Sequence, residues 1–298
     1  MTLFKTLLTV ALAGLSLAQP VTRRQETGGA AGGGLTDLQI LQFALTLEHL
    51  ESAFYSQGFA KFPPADFMAL GLDAAGIEGL TAIGKTEATH VKVLSDVIKA
   101  AGATPVEPCT YDFKLTNAAS MIATARILEA VGISAYLGAA PLVKDPAILS
   151  AAASIVTVES RHQTFIRTAS KAAPVPQAFD AAIGPLQIFT LASSFITSCP
   201  AASNLGLTAL PSLNVLDAGN IRGGSMLKMV VPSSAAGMSC SFTTGDGGLQ
   251  FAKFENGGCK VPEGLGGETF LTVTTETTGV KALADAKIVA GPAVLVLS

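Results

Sequence analysis

No dinucleotide fingerprint or Gly-x-Ser-x-Gly elbow occurs in the chain. Dehydrogenase and hydrolase chemistries therefore have no support in the sequence. Charge is scarce as well. Asp, Glu, Lys and Arg make up 14% of the 298 residues, against about a quarter in an average globular protein. Positive charge is in the minority, with a formal net charge of −3, so there is no basic footprint for nucleic acid. No Asn-x-Ser/Thr acceptor is present, and N-glycosylation is not expected. The four cysteines include no Cys-x-x-Cys pair, the spacing that would favour metal binding by thiolates. Histidine is scarce too, with three in the whole chain.

What is present is apolar. At 49% hydrophobic residues the chain has material for one large domain or two ordinary ones. Lys5, the apolar run Leu7 to Ala18 and the small residues Ser16 and Ala18 read as a signal peptide over residues 1–18. That run is too short to span a bilayer. Arg23-Arg24 is a dibasic pair suited to a second cut, and residues 28–34 are glycine-rich. Residues 19–35 therefore read as a pro-segment and flexible leader. The protein is expected to be secreted, extracellular or held in the cell wall, with no membrane span. In an exported chain an even number of cysteines favours two disulfides. Of the three pairings, Cys109–Cys199 with Cys240–Cys259 keeps each bridge inside one proposed domain.

The pattern between residues 36 and 199 is helical. Thr36-Asp37-Leu38-Gln39 has the form of a capping box, and helical spacing runs from it to about Gln57. Phe62-Pro63-Pro64 breaks it. Further helices are predicted over Asp73 to Ala101, Thr116 to Ala140 and Pro146 to Lys171, with a shorter one over Pro185 to Ile196. After Pro200 glycine, threonine and β-branched residues take over. Met226–Val231, Gln250–Phe254, Thr269–Thr275 and Lys287–Leu297 read as strands. The fold class is α+β and multidomain: a four-helix bundle over 36–199, then a small C-terminal β-sandwich-like domain over 200–298.

Two of the three histidines follow a glutamate by three residues, in Glu87-Ala-Thr-His90 and Glu159-Ser-Arg-His162. Positions i and i+3 share a helix face, so each pair offers a carboxylate and an imidazole to one point. Each apolar stripe is interrupted near its middle. The second helix reads Leu80, Ile83, Glu87, His90, Leu94, Ile98, and the fourth reads Ile148, Ala152, Ile155, Glu159, His162, Ile166. The third reads Ile122, Ala125, Glu129, Ile133, Tyr136, and the first Leu41, Leu45, Glu48, Ser52, Tyr55. Four carboxylates in one apolar core would each face a desolvation penalty of several kcal/mol and would repel one another. Two divalent cations resolve both problems, and two Glu-x-x-His pairs with one glutamate from each of two other helices form the ligand set of a dinuclear carboxylate bundle. The candidate ligands are Glu48, Glu87, His90, Glu129, Glu159 and His162. Glu87 or Glu159, or else Glu48 and Glu129, would bridge. Glu51 is the rival of Glu48, which shares its face with Leu41, Leu45 and Tyr55. His49 is expected at a rim, and Arg126 and Arg161 are expected to face solvent or pair with acids.

An internal echo accompanies the ligands. Tyr55 follows Glu48 by seven residues and Tyr136 follows Glu129 by seven, and each of these helices precedes one bearing Glu-x-x-His. The helix pair over 36–101 is thus repeated over 116–171, which implies a centre of approximate two-fold symmetry. Tyr55 and Tyr136 are candidates for hydrogen bonding behind the ligands or for electron transfer.

From Thr36 to about Cys199 the chain resembles the ferritin-like superfamily. The stretch Ala44-Leu-Thr-Leu-Glu48-His-Leu-Glu51-Ser-Ala-Phe-Tyr55 is similar to the opening helix of secreted fungal ferritin-like proteins of the stress-response and late-sexual-development type, and plant desiccation-related proteins are similar. The resemblance implies metal at the six candidate ligands. Histidine on both ligand-pair helices looks closer to bacterioferritin, rubrerythrin and manganese catalase than to animal ferritin. The β-rich tail is no part of the minimal fold. Oxygen-rich ligands suit two iron or manganese ions, and the expected activity is oxidoreductase work on dioxygen, peroxide or ferrous iron. The other reading from the sequence is a non-catalytic extracellular protein whose β-domain binds wall polymer or another protein. Iron storage needs a closed shell of subunits, which the appended domain would obstruct.

Overall fold

The structure is a computed structural model that describes residues 35–203, 205–216, 221–233, 236–246, 248–276, 280 and 282–297. The expected signal segment and all but the last residue of the leader lie outside these. Among the described residues six α-helices form: α1 (Asp37–Lys61), α2 (Pro64–Ala69), α3 (Ala74–Ala100), α4 (Ala118–Ala139), α5 (Pro146–Ala169) and α6 (Pro185–Ser193). The five expected helices are all present, with ends shifted by a few residues. The short α2 was not anticipated: Pro64, which stops α1, also starts it, because proline's fixed φ suits a first helical turn.

Local chemistry fixes each start. The Thr36 hydroxyl accepts the Gln39 N–H at 3.2 Å while Gln39 accepts the Thr36 N–H at 2.9 Å. Asp73 caps α3, Asn117 with Ser120 caps α4, and Asp145 ahead of Pro146 caps α5. Asp37 accepts the backbone N–H groups of Lys144 and Asp145 at 2.9 and 2.8 Å, which ties the α4–α5 turn to the start of α1. α1 packs on α3, and α4 on α5. α3 and α5 bury one stripe each. α1 and α4 bury residues around most of their circumference, as helices at the centre of a fold do. α4 with its extension to Leu142 is long and apolar enough to cross a bilayer, yet most of it is buried inside the protein.

Among the described residues nine strands follow or interleave: β1 (Thr110–Tyr111), β2 (Ile196–Ser198), β3 (Asn214–Val215), β4 (Met226–Val230), β5 (Ser239–Thr244), β6 (Gly248–Lys253), β7 (Gly258–Lys260), β8 (Gly267–Thr274) and β9 (Ile288–Leu297). All pairings are antiparallel, in sheets ordered β1-β2, β3-β4-β7 and β6-β5-β8-β9. The four-stranded sheet presents Cys240, Phe242, Leu271 and Val273 to a core shared with Leu227 and Met229 of the small sheet. Its other face meets the helices, where Phe270 and Val294 join the bundle core. Every residue of β8 is accordingly buried. The result is three layers: helices, a four-stranded sheet and a three-stranded sheet.

The layers are fastened by charge as well as by apolar packing. Glu268 on β8 receives Arg126 Nε of α4 at 2.5 Å and Arg167 Nη1 of α5 at 2.6 and 2.5 Å. Arg126 thus pairs with an acid, as expected, and Arg161 is exposed. Asp246 accepts the N–H groups of Ala178 and Phe179. Next to it a Cβ on Gly245 would lie 1.6 Å from the Phe179 carbonyl oxygen, so only glycine allows this approach. The disulfides are Cys109–Cys199 and Cys240–Cys259. The first closes a 90-residue separation around α4, α5 and α6, a loop for which chain entropy alone gives ~4–5 kcal/mol.

Candidate metal centre

Glu48 of α1, Glu87 and His90 of α3, Glu129 of α4, and Glu159 and His162 of α5 all point into the bundle. The glutamates are 0–1% exposed and the histidines 6–7%. They converge on two adjoining points. Donor atoms of Glu48, Glu87, His90 and Glu159 lie within 4.8 Å of one another, and so do donor atoms of Glu87, Glu129, Glu159 and His162. Glu87 and Glu159 belong to both groups. His90 Nδ1 is 3.0 Å from Glu159, 3.3 Å from Glu48 and 3.3 Å from Glu87. His162 Nδ1 is 2.8 Å from Glu87, 3.3 Å from Glu129 and 3.7 Å from Glu159. The two imidazoles stand 6.3 Å apart with planes inclined by 28°.

Between the imidazoles and the carboxylates, His90 Nδ1 with Glu87 Oε2 at 3.3 Å makes a hydrogen bond, but much of the cluster is close without bonding. Glu48 Oε2, Glu87 Oε1, Glu129 Oε2, both oxygens of Glu159 and His162 Nδ1 are buried without a hydrogen-bond partner. Such orphaned atoms are rare in proteins and call for an explanation, an ion among them. Four carboxylate side chains and two imidazole nitrogens are also a donor set suited to iron or manganese. On these observations the residues fit a pair of divalent ions.

The electrostatics point the same way. Burial pushes Glu48 up to about 8, with Glu159 and Glu87 adding to the rise and His90 opposing it. Burial likewise raises Glu129 well above the usual carboxylate range. Burial also works against the ionised form of Glu159, but the close imidazoles of His162 and His90 override it and hold this group at about 2. For His90, burial disfavours the cation, yet Glu159, Glu48 and Glu87 lift it to about 12. His162 rises to about 11 against the same penalty, through Glu129, Glu159 and Glu87. Burial thus favours the protonated form of Glu48 and Glu129, while the imidazoles keep Glu159 ionised.

The tyrosines cross over. Tyr55 on α1 donates to Glu129 Oε1 on α4, and Tyr136 on α4 donates to Glu48 Oε1 on α1 at 2.5 Å. Each phenol serves the glutamate of the other repeat, a pairing that spacing within one helix does not reveal. Burial and the neighbouring carboxylates raise both phenols above their ordinary value, so both stay donors. In each glutamate the tyrosine occupies Oε1 and leaves Oε2 facing the cluster. His49 is half-buried, its Nε2 3.1 Å from the Val106 carbonyl, and it takes no part in the cluster.

Glu51 is the residue the sequence left as a rival. It is buried at 4% exposure beside Glu48 rather than instead of it. Burial, then repulsion from Glu159, Glu87, Glu129 and Glu48, raises its carboxyl well above the usual range, and it has no hydrogen-bond partner among the described residues. Its counterpart in the repeat, three residues beyond Glu129, is Gly132. A Cβ there would lie 2.9 Å from Glu51 Oε1. One half of the repeat supplies a carboxyl and the other supplies the space for it. The i+3 spacing from Glu48 and the glycine at the matching position were the available signals.

Comparison with known proteins agrees with this architecture. Residues 36–172 match the family model described as Ferritin-like domain. The chain is 26% identical over 165 residues to Protein rds1 of Schizosaccharomyces pombe (strain 972), an alignment covering 55% of this chain and 40% of that protein. The helical N-terminal part of the chain is therefore a ferritin-like domain, followed by a C-terminal region of small antiparallel sheets.

Proposed function

We propose that Glu48, Glu87, His90, Glu129, Glu159 and His162 hold two divalent ions, iron or manganese, and that the protein is an exported redox protein acting on dioxygen, peroxide or ferrous iron. The observation that carries this reading is the pair of donor groups sharing Glu87 and Glu159, in which Glu48 Oε2, Glu87 Oε1, Glu129 Oε2, both Glu159 oxygens and His162 Nδ1 have no hydrogen-bond partner. In this reading Glu48, Glu87, His90 and Glu159 would hold one ion, and Glu87, Glu129, Glu159 and His162 would hold the other. Two such ions, when bound, supply electron transfer to or from both ends of an O–O bond.

The chain's own groups have separate tasks. Tyr136 and Tyr55 fix the orientation of Glu48 and Glu129 by holding one oxygen of each, the kind of support that tunes ligand basicity. Apolar neighbours on every helix keep bulk water from the carboxylates. The Glu268 ion triad braces α4 and α5, the helices that carry Glu129, Glu159 and His162. The two disulfides suit an oxidising compartment outside the cell. The C-terminal sheets act as part of the scaffold, because one face of the larger sheet is committed to the bundle core.

Elemental analysis tests the reading. The purified protein, loaded with Fe(II) or Mn(II) and freed of excess metal, should retain two ions per chain. A Glu87→Ala, His162→Ala double variant should retain none while keeping its helical circular dichroism. Equal retention by both proteins would refute the assignment.

A further inference from the structure

Glu51 separates two chambers. The larger, of about 140 Å³, lies between α1, α4, α6 and β9, with Leu50, Ile127, Val131, Ala192 and Val294 in its wall. The smaller, of about 40 Å³, is lined by Glu48 and Tyr136 among apolar residues. Leu47, Glu51 and Gly132 belong to the walls of both. The Glu51 carboxyl occupies the space that Gly132 leaves open, and it is 4% exposed without a hydrogen-bond partner among the described residues. Ser194, itself exposed, lies on the wall of the larger chamber, with its hydroxyl engaged by the Leu191 carbonyl.

A water needs two to four polar partners to be held in a cavity, whereas apolar cavities of ~150 Å³ stay dry and accept xenon or benzene. The larger chamber matches that size and offers little beyond one carboxyl. Hydrogen peroxide, a donor and acceptor at both ends, would forfeit its hydrogen bonds there. A small apolar gas would lose nothing. We propose that the two chambers form a path for dioxygen, entering near α6 and passing the Leu47–Glu51–Gly132 partition to reach Glu48. This inference rests on the metal reading for its purpose, but the chambers as a gas site stand on their own geometry. It selects dioxygen over peroxide as the substrate that the protein admits on this side. It also gives the break in the repeat a function: Glu51 on one half and Gly132 on the other make the two sides of the centre unequal.

The experiment has two arms. Crystals of metal-free protein are pressurised with xenon, and the full chain loaded with Fe(II) is mixed with dissolved dioxygen or with hydrogen peroxide. The variants are Ala192→Leu, which fills the larger chamber, and the milder Val131→Ile should the first fold poorly. Xenon should occupy the larger chamber of the parent and be displaced in the variant. The variant should bind the same metal as the parent yet consume dioxygen about tenfold more slowly, with its rate toward hydrogen peroxide unchanged. Absence of xenon from the parent chamber overturns the proposal, as does an equal slowing of both oxidants or of neither. If the parent retains no metal, the reading of the cluster fails, while the xenon arm still decides whether the chambers take an apolar gas.

Discussion

The Tyr136 phenol donates to Glu48 Oε1 at 2.5 Å, from a residue 88 positions away in the chain. The bond joins the two helix pairs at the point where both contribute to the candidate centre. Its mate, Tyr55 to Glu129, repeats it in the opposite sense. Together they make α1 and α4 depend on each other for the aim of their glutamates.

Tyr136→Phe removes the donor and keeps the ring. Support of this kind behind a metal ligand is worth roughly 10- to 100-fold in metal affinity or activity. Titration of the variant with Fe(II) or Mn(II) should show a loss in that range, while far-ultraviolet circular dichroism stays unchanged. Tyr55→Phe should weaken binding similarly, since the two bonds are related by the repeat. Unaltered affinity in both variants would mean that the phenols only fill space.

Metal uptake should release protons. His90 and His162 are raised to about 12 and 11 by the glutamates around them, so both imidazoles hold a proton at neutral pH until metal displaces it. Affinity should therefore climb with pH between about 6 and 8, and calorimetry in two buffers of different ionisation enthalpy should register the protons given up. The stability of the metal-free protein has a related sign. Glu48, raised to about 8 by burial, contributes stability that is fully present below its unfolded value of 4.5 and is lost as pH rises through 8. Chemical denaturation of metal-free protein should show a lower midpoint at about pH 9 than at about pH 6. A pH-independent metal affinity would contradict the assignment of these imidazoles.

The helices, the two ligand pairs and the lone glutamates of α1 and α4 were all legible in the sequence, because a buried stripe interrupted by acid is a local pattern of period 3.6. The crossing of the tyrosines was not, since Tyr55 and Glu129 are 74 residues apart and nothing in either helix names its partner. Five short or buried strands also escaped. Thr110–Tyr111, Ile196–Ser198, Asn214–Val215 and Gly258–Lys260 are two or three residues long, too short for a period of two to declare itself. Ser239–Thr244 is long enough, but both its faces are covered and its alternation is blurred. Glu51 was ambiguous for another reason: two buried acids on one helix face look from sequence like a choice between them.

Glu268 carries an interaction of higher stakes than its distance from the centre suggests. It answers two guanidinium groups, Arg167 at 2% exposure and the largely covered Arg126. Glu268→Ala removes the carboxylate that both cations contact in a low-dielectric layer, leaving only the charge of Asp180 near Arg167, which should cost ~3–5 kcal/mol. Urea denaturation measures this. The exposed Lys92–Asp96 pair, at 2.6 Å, is the control: Asp96→Ala should leave the midpoint where it was, because water screens that pair on all sides. If Glu268→Ala were as silent as Asp96→Ala, the triad would not be what fastens β8 to α4 and α5.

Glu51 should be a liability for folding that is retained for use. Its carboxyl is buried with no hydrogen bond among the described residues, facing Glu159, Glu87, Glu129 and Glu48, and a buried polar group left unpaired costs ~1–3 kcal/mol. Glu51→Leu replaces it with a side chain matched to the apolar walls on either side. The metal-free variant should unfold at a higher urea concentration than the parent, by an amount within that range. Metal stoichiometry should remain at two ions per chain, because the six candidate ligands are untouched. A fall in stoichiometry would place Glu51 among the ligands themselves. A fall in stability would show that its carboxyl has a partner that the geometry does not reveal.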